Sequence, residues 1–292
     1  MNCDHLFSPT SNDNTLFVTA QCNNRCIMCC QPPDRRDDIE MRYRRNLSLL
    51  ENAPKELREL GINGGEPTLL GDRLFQLLEA VHELLPSTGI HLLSNGRAFS
   101  DFSYAKKLHS VASENLLLGI PLHSDYSGDH DEVTRIPGSF DETMRGLYHL
   151  GEFGIRVELR VLITRYNYRR LRKISDFLYR HLPFVDFVAF MGMEVTGWAV
   201  RHMDQLWIDP VDFREYLEDA VLTLSGWGMD CCVYNIPHCL LSESLHPYAC
   251  QSISDWKTEF SADCDSCRKR KACCGLFRTS RKQSRALAPF LA

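Results

Sequence analysis

No cysteine lies between Cys30 and Cys231, although the chain of 292 residues carries 13 of them. Random scatter would not leave positions 31–230 empty, so the thiols form two groups, one near each end. No run of about 18 apolar residues occurs, which excludes a membrane-spanning helix, and no membrane partner is expected. There is no excess of basic charge either. A net charge of -5 gives no electrostatic grip on phosphates, so no nucleic-acid partner is expected. The start, "MNCDHLFSPTSNDN", has neither a basic flank nor an apolar core; no signal peptide is expected, and the chain is placed in the cytoplasm. Thiols there stay reduced, which turns the reading of the cysteines from disulfides to metal.

What is present is an ordinary globular composition, 44% hydrophobic and 24% charged. The length suits one large domain, or a domain with an appendage. The middle alternates strand and helix patterns. "TLFVTA" (15–20) reads as a strand running into the first cysteines. "ELRELGINGGEP" (56–67) reads as a helix end, a strand and a glycine turn. "RLFQLLEAVHELL" (73–85) is helical, and "GIHLLSNG" (89–96) is a strand ending in a turn. "NLLLGIPLHSD" (115–125) is a strand. "SFDETMRGLYHLGEFG" (139–154) is a helix opened by a capping box of Ser139 and Glu142. "IRVELRVLIT" (155–164), "YRRLRKISDFLYRHL" (168–182) and "FVDFVAFMGME" (184–194) continue as strand, helix, strand. About six such units predict a parallel sheet with helices outside, as an open sheet or a barrel. Function then gathers at the carboxyl ends of the strands, which places the cysteine loop, "GGEP", "SNG" and "HSD" on one rim.

Cys22, Cys26 and Cys29 are spaced C-x3-C-x2-C, with Cys30 one step out of line. Three thiolates can hold three irons of a 4Fe–4S cube and leave the fourth without a protein ligand, whereas an electron-carrying cluster normally has four cysteines. A vacant position is what a reactive metal site requires. The competing reading is a zinc knuckle that also uses Cys30 or a nearby residue. Adjacent Cys29 and Cys30 fit one tetrahedral site poorly, because consecutive side chains diverge.

The C-x3-C-x2-C loop after a first strand, followed by Gly64, Gly65, Glu66 and Pro67 after a second, resembles the radical SAM superfamily. An aromatic residue commonly precedes the last of the three cysteines in that family; here Met28 takes its place, and Met can pack against an adenine face. The resemblance implies a partial (β/α)6 TIM-type barrel that binds a 4Fe–4S cluster and S-adenosyl-L-methionine. An electron from the cluster would cleave the sulfonium to a 5′-deoxyadenosyl radical, which removes a hydrogen atom from substrate. The glycines at 64 and 65 would let the backbone approach the methionine part of the cofactor. Ser94 and Asn95 would lie near the ribose or carboxylate. Ser124 and Arg160 are further candidates for that pocket. Arg160 has a structural ion pair as its alternative role.

Near Leu206 the style changes. Cys264, Cys267 and Cys273 are spaced C-x2-C-x5-C, and Cys239 in "NIPHC" is the choice for a fourth ligand over Cys250. This part resembles the SPASM and twitch auxiliary-cluster extensions of peptide-modifying radical SAM enzymes. The expected organisation is a barrel over 1–205 and an extension over 206–292 holding one auxiliary 4Fe–4S cluster. A zinc ribbon is the alternative for the same thiols. Cys231, Cys232, Cys250 and Cys274 stay unassigned. "TSRKQSRALAPFLA" has no metal pattern and is read as loose or docked.

A closer likeness is carried by "NGGEPTLLGD", "LLSNGR", "LPFVDFVAFMGMEVTGWA", "LWIDPVDF" and "SISDWK…CDSC…CCG". These resemble the C-type radical SAM maturase of His-Xaa-Ser peptide modification systems. That implies a precursor-peptide substrate, a second radical SAM maturase beside this one, and an electron donor such as flavodoxin or ferredoxin. A radical SAM enzyme acting on a small molecule or RNA, and a non-catalytic iron–sulfur or zinc protein, are the alternatives. No catalytic acid or base stands out. His130 and Asp131 read as a polar turn, and Glu194 as either a site residue or a structural hydrogen-bonding group. "RYNYRRLRKISDFLYR" reads as a solvated helix face, with a docking surface for an acidic peptide as the alternative. "PPDRRDDIEMRYRR" reads as a mobile-looking charged loop, either over the site or exposed.

Overall fold

A computed structural model describes residues 7–11, 13–251 and 255–291. The first part of "SISDWK" therefore lies outside the described residues. The chain divides into two compact units interleaved in sequence. The first comprises 1–25, 32–120 and 141–157, and the second 26–31, 121–140 and 158–292.

The first unit carries β1 (Thr15–Phe17), β2 (Glu59–Asn63), β3 (Gly89–Leu93) and β4 (Leu116–Pro121), hydrogen-bonded in that order and all parallel. Helices α1 (Ile39–Glu51), α2 (Asp72–Leu84) and α3 (Phe102–Val111) fall between successive strands. Leu60 and Ile62 of β2 are fully buried, as alternate residues facing one side of a strand should be. Each such burial contributes about 1.5–3 kcal/mol. In α2 the buried Leu74, Leu77, Leu78 and Val81 follow helical spacing.

The helix α1 lies where the sequence suggested a mobile loop. Of its thirteen residues only Asn46 and Leu50 are buried, so the apolar signal is nearly absent. Its start is fixed instead by Asp38, which accepts hydrogen bonds from the Thr19 hydroxyl (2.7 Å) and the Ala20 amide (3.0 Å) and pairs with Arg42. That bond ties the helix to the backbone leading into Cys22.

The second unit holds α4 (Ser127–Thr134), most of β5 (Arg156–Leu162), α6 (Leu171–His181) and β6 (Phe187–Met191). The helix α5 (Ser139–Glu152) precedes β5. After β6 come two short helices, α7 (Trp198–Arg201) and α8 (Met203–Leu206), then α9 (Pro210–Gly226). Two strands that the sequence reading did not contain, β7 (Cys231–Tyr234) and β8 (Ala249–Cys250), extend β5 and β6 in parallel. A small antiparallel ribbon joins β9 (Thr258–Glu259) to β10 (Leu276–Phe277). The parallel α/β architecture and the cysteine-rich C-terminal region both agree with expectation.

Two local readings change. His130 and Asp131 sit in α4, not in a polar turn, and His130 is buried. Asp131 caps the following helix: its carboxylate accepts the amides of Gly138 (2.6 Å) and Phe140 (2.8 Å) and the Ser139 hydroxyl (2.8 Å). The Ser139–Glu142 capping box gives way to this arrangement, and Glu142 pairs with Arg97 at 2.6 Å.

Candidate functional site

In the first unit the predicted residues gather around the turn after β2. Gly64 and Gly65 run against the backbone that leads into Cys22. A Cβ on Gly64 would lie 2.4 Å from the Thr19 carbonyl oxygen, and one on Gly65 would lie 2.0 Å from that of Gln21. The contact is cemented by hydrogen bonds from the Gly65 amide to Thr19 (2.7 Å) and from the Glu66 amide to Gln21 (2.8 Å). Only glycine permits so close a passage of two backbones.

Glu66 is buried and saturated. Its Oε1 accepts the Thr68 amide (3.1 Å), the Thr68 hydroxyl (2.8 Å) and the Ser94 hydroxyl (2.7 Å); its Oε2 accepts the Asn95 amide (2.7 Å). Burial pushes its carboxyl up, and these donors oppose the shift. The "GGEP" carboxylate thus ties together the turns that end β2 and β3. Asn95 in turn donates its side-chain amide to Asn23 at 2.6 Å, one residue past Cys22. Arg97, which no sequence argument had singled out, donates to the Asn23 carbonyl (2.9 Å) and to Asn24 Oδ1 (2.6 Å). The Cys22 sulfur accepts the Asn24 amide at 3.3 Å. Burial raises that thiol to about 11, with the Asn24 amide and the Arg97 charge acting the other way.

In the second unit, Cys26 and Cys29 lie on a tight turn in which the Cys29 amide donates to the Cys26 carbonyl at 3.0 Å. Ile27 and Met28 anchor this turn in an apolar cluster with Met193, Val195, Ala199 and Leu206. Gly197, at φ +56, brings its backbone against the turn; a Cβ there would lie 2.5 Å from the carbonyl oxygens of both Cys29 and Cys30. The Trp198 amide then donates to the Cys29 carbonyl at 2.9 Å. The segment after β6 therefore cradles this cysteine turn, a role for which "TGWA" gave no chemical signal.

Ser124 is fully buried just after β4, and its hydroxyl accepts the Tyr126 amide at 3.2 Å. Arg160 pairs with Glu158 at 3.1 Å, two residues earlier on the same face of β5. Glu194 bonds Lys257 at 3.0 Å and the Thr279 hydroxyl, which stitches the segment after β6 to the C-terminal region.

Cys239, Cys264, Cys267 and Cys273 all line one cavity of the second unit, together with His238 and Phe290. Cys250 is not among its lining residues; it lies on β8. Backbone donors reach two of these sulfurs, the Phe290 amide to Cys267 and the Gly275 amide to Cys273, each at 3.4 Å; the Ser261 hydroxyl and the Cys264 thiol share a hydrogen bond at the same distance. A hydrogen bond from Cys274, and then the amide of Gly275, hold the Cys273 thiol below its ordinary range despite burial. Among the described residues, no three or more His, Cys, Asp and Glu side chains converge on one metal-ion position.

Comparison with known proteins fits this geometry. The family model described as the radical SAM superfamily matches residues 16–178, more than half of the chain. The chain belongs to the radical SAM superfamily. Membership makes it an enzyme and implies a 4Fe–4S cluster and S-adenosylmethionine. A curated radical SAM relative, Fe-coproporphyrin III synthase of Methanosarcina barkeri (strain Fusaro / DSM 804), is 29% identical over 168 residues. That match spans 55% of this chain and 39% of the relative. Streptococcus suis SuiB bound to S-adenosylmethionine superimposes with a TM-score of 0.58 at 18% identity, over 85% of this chain and 53% of SuiB. Native anSMEcpe with bound AdoMet and Cp18Cys peptide gives 0.62 at 17% identity, over 95% of this chain and 91% of that one. SuiB bound to its precursor peptide SuiA gives 0.56 at 17%, over 75% of this chain and 48% of that one. The chain thus spans about half of SuiB and less of the curated relative. Among the described residues, no helix is long and apolar enough to cross a membrane.

Proposed function

We propose that this radical SAM enzyme modifies a ribosomally synthesised precursor peptide, of the His-Xaa-Ser repeat type, by hydrogen abstraction. The observation that carries the reading is the cavity lined by Cys239, Cys264, Cys267 and Cys273 in the region 206–292. Four thiols distributed around one cavity suit a cube in which each thiolate binds its own iron. An auxiliary-cluster extension is the feature that the sequence shares with peptide-modifying members. The likeness to SuiB and anSMEcpe, both of which have been seen with peptides, supports the same reading.

The donor set near the amino terminus fits the radical-generating cluster. Cys22, Cys26 and Cys29 would hold that cluster with three thiolates, one fewer than the irons of a 4Fe–4S cube. Once bound, that cluster supplies the electron that cleaves S-adenosylmethionine to the 5′-deoxyadenosyl radical. Gly64, Gly65, Glu66 and Pro67 shape the cofactor's bed. Ser94 and Asn95 are assigned to the cofactor's ribose or carboxylate, and Ser124 and Arg160 are further candidates for contact with it. A second radical SAM maturase and a flavodoxin or ferredoxin donor are the partners this reading implies.

The test is anaerobic turnover with a His-Xaa-Ser repeat peptide, read by mass spectrometry, with formation of an iron coproporphyrin from a tetrapyrrole precursor as the competing reaction. Loss of hydrogen from the peptide supports the proposal, and Cys267→Ala then stops that turnover while sparing S-adenosylmethionine cleavage. Porphyrin formation alone, or a Cys267→Ala variant that still modifies peptide, contradicts it. A single zinc in place of four auxiliary irons would replace the cluster reading with a structural site.

A further inference from the structure

The segment 280–290 has no metal pattern in its sequence, yet it is anchored at several points within the second unit. The Arg281 amide donates to the Val195 carbonyl at 2.9 Å. The Ser284 hydroxyl and the Arg285 amide donate to the two carboxylate oxygens of buried Asp209, at 2.5 and 3.0 Å. The Phe290 carbonyl accepts the Arg268 amide at 3.0 Å, one residue past Cys267. The Phe290 ring meets His246 edge-on at 5.7 Å, and His246 bonds the carbonyl of His238, the neighbour of Cys239.

These anchors deliver residues 287–290 to the wall of the four-cysteine cavity. There the Phe290 amide points at the Cys267 sulfur at 3.4 Å. Pro289 before it has no N–H to satisfy. A segment held by four separate hydrogen bonds so that its Phe290 amide faces a cysteine sulfur is more than loose packing.

We propose that the segment 284–290 is part of the auxiliary iron–sulfur site, in which the N–H group of Phe290 donates to the sulfur of Cys267 and raises the reduction potential of the cluster. This rests on the auxiliary-cluster reading given above. Reduction adds a negative charge to the cluster, and an N–H donor aimed at one of its sulfurs stabilises the reduced form. Phe290 is a positioning residue; it does not touch substrate.

Phe290→Pro removes the N–H together with the ring, whereas Phe290→Ala removes the ring alone. Both are made in the full chain with Cys22, Cys26 and Cys29 changed to Ala, so that only the auxiliary signal is read in an EPR-monitored redox titration. The expected result is a midpoint potential more negative in Phe290→Pro than in Phe290→Ala. Loss of auxiliary iron in Phe290→Pro but not in Phe290→Ala also supports the donor role, because the amide is the group that only Pro removes. Equal potentials and equal iron in the two variants overturn it. If the parent lacking Cys22, Cys26 and Cys29 holds no iron at all, the auxiliary-cluster reading fails, and this inference fails with it.

Discussion

A methyl group on Gly65 would lie 2.0 Å from the backbone oxygen of Gln21, the residue before Cys22. The turn after β2 is therefore packed directly against the backbone that leads into Cys22. Gly65→Ala forces one of two backbones to shift, because the obstructing atom is not the end of a flexible side chain. The expected cost is about 1–3 kcal/mol of stability. S-adenosylmethionine affinity should fall more than auxiliary iron content. Thermal melts and equilibrium binding measured on the same preparation check this.

Asp38 gives a pH dependence with a definite sign. Burial raises its carboxyl, but Arg42, the Thr19 hydroxyl and the Ala20 amide together hold it below the usual value of 3.8. A depressed folded pKa means stability that is present above the unfolded pKa and lost as pH falls through the folded one. Asp38→Asn should thus lower stability by about 1–3 kcal/mol at pH 7. The gap between wild type and variant should narrow only below about pH 4. Denaturant midpoints across pH 3–7 test it; a gap independent of pH would show that the ion pair contributes nothing.

Glu194 and Lys257 join the segment after β6 to the C-terminal region, with side chains that are only 12% and 23% exposed. A double-mutant cycle with Glu194→Ala and Lys257→Ala should give a coupling of about 1 kcal/mol, reduced by salt. Zero coupling would mean that the pair is solvated in solution.

Asp209 and Arg285 separate capping from surface charge. Asp209 caps α9 and also holds Ser284 and Arg285. Asp209→Ala should cost about 1–2 kcal/mol through the lost cap, and should free the segment 284–290 to proteolysis. Arg285 is 61% exposed, and Arg285→Ala should leave stability nearly unchanged. Limited proteolysis followed by mass spectrometry distinguishes the two.

Much of this could be read from residues alone. The strands β1 to β6 announce themselves through apolar runs ending in turns, and "GGEP" and "SNG", read as strand-end turns, are the two turns that Glu66 joins. The sequence favours Cys239 over Cys250 as a fourth ligand, and the cavity is lined by the former. What escaped had no residue-type signature. The helix α1 buries two residues, and β7 is four residues long with two cysteines in it. Asp131 caps a helix from another element, so a local capping box looked sufficient. Gly197 matters because of what passes beside it, and the segment 280–290 because of where its amides end up; neither spacing nor composition records a contact.

The account rests on a cluster with three cysteine ligands that cleaves S-adenosylmethionine, and one measurement addresses it most directly. Full-length protein, reconstituted with iron and sulfide without oxygen, is mixed with dithionite and S-adenosylmethionine and assayed for 5′-deoxyadenosine. The account predicts about eight irons per chain and 5′-deoxyadenosine formation that Cys26→Ala abolishes and Cys267→Ala spares. Iron-loaded protein that yields no 5′-deoxyadenosine, or a Cys26→Ala variant that still yields it, would contradict the account.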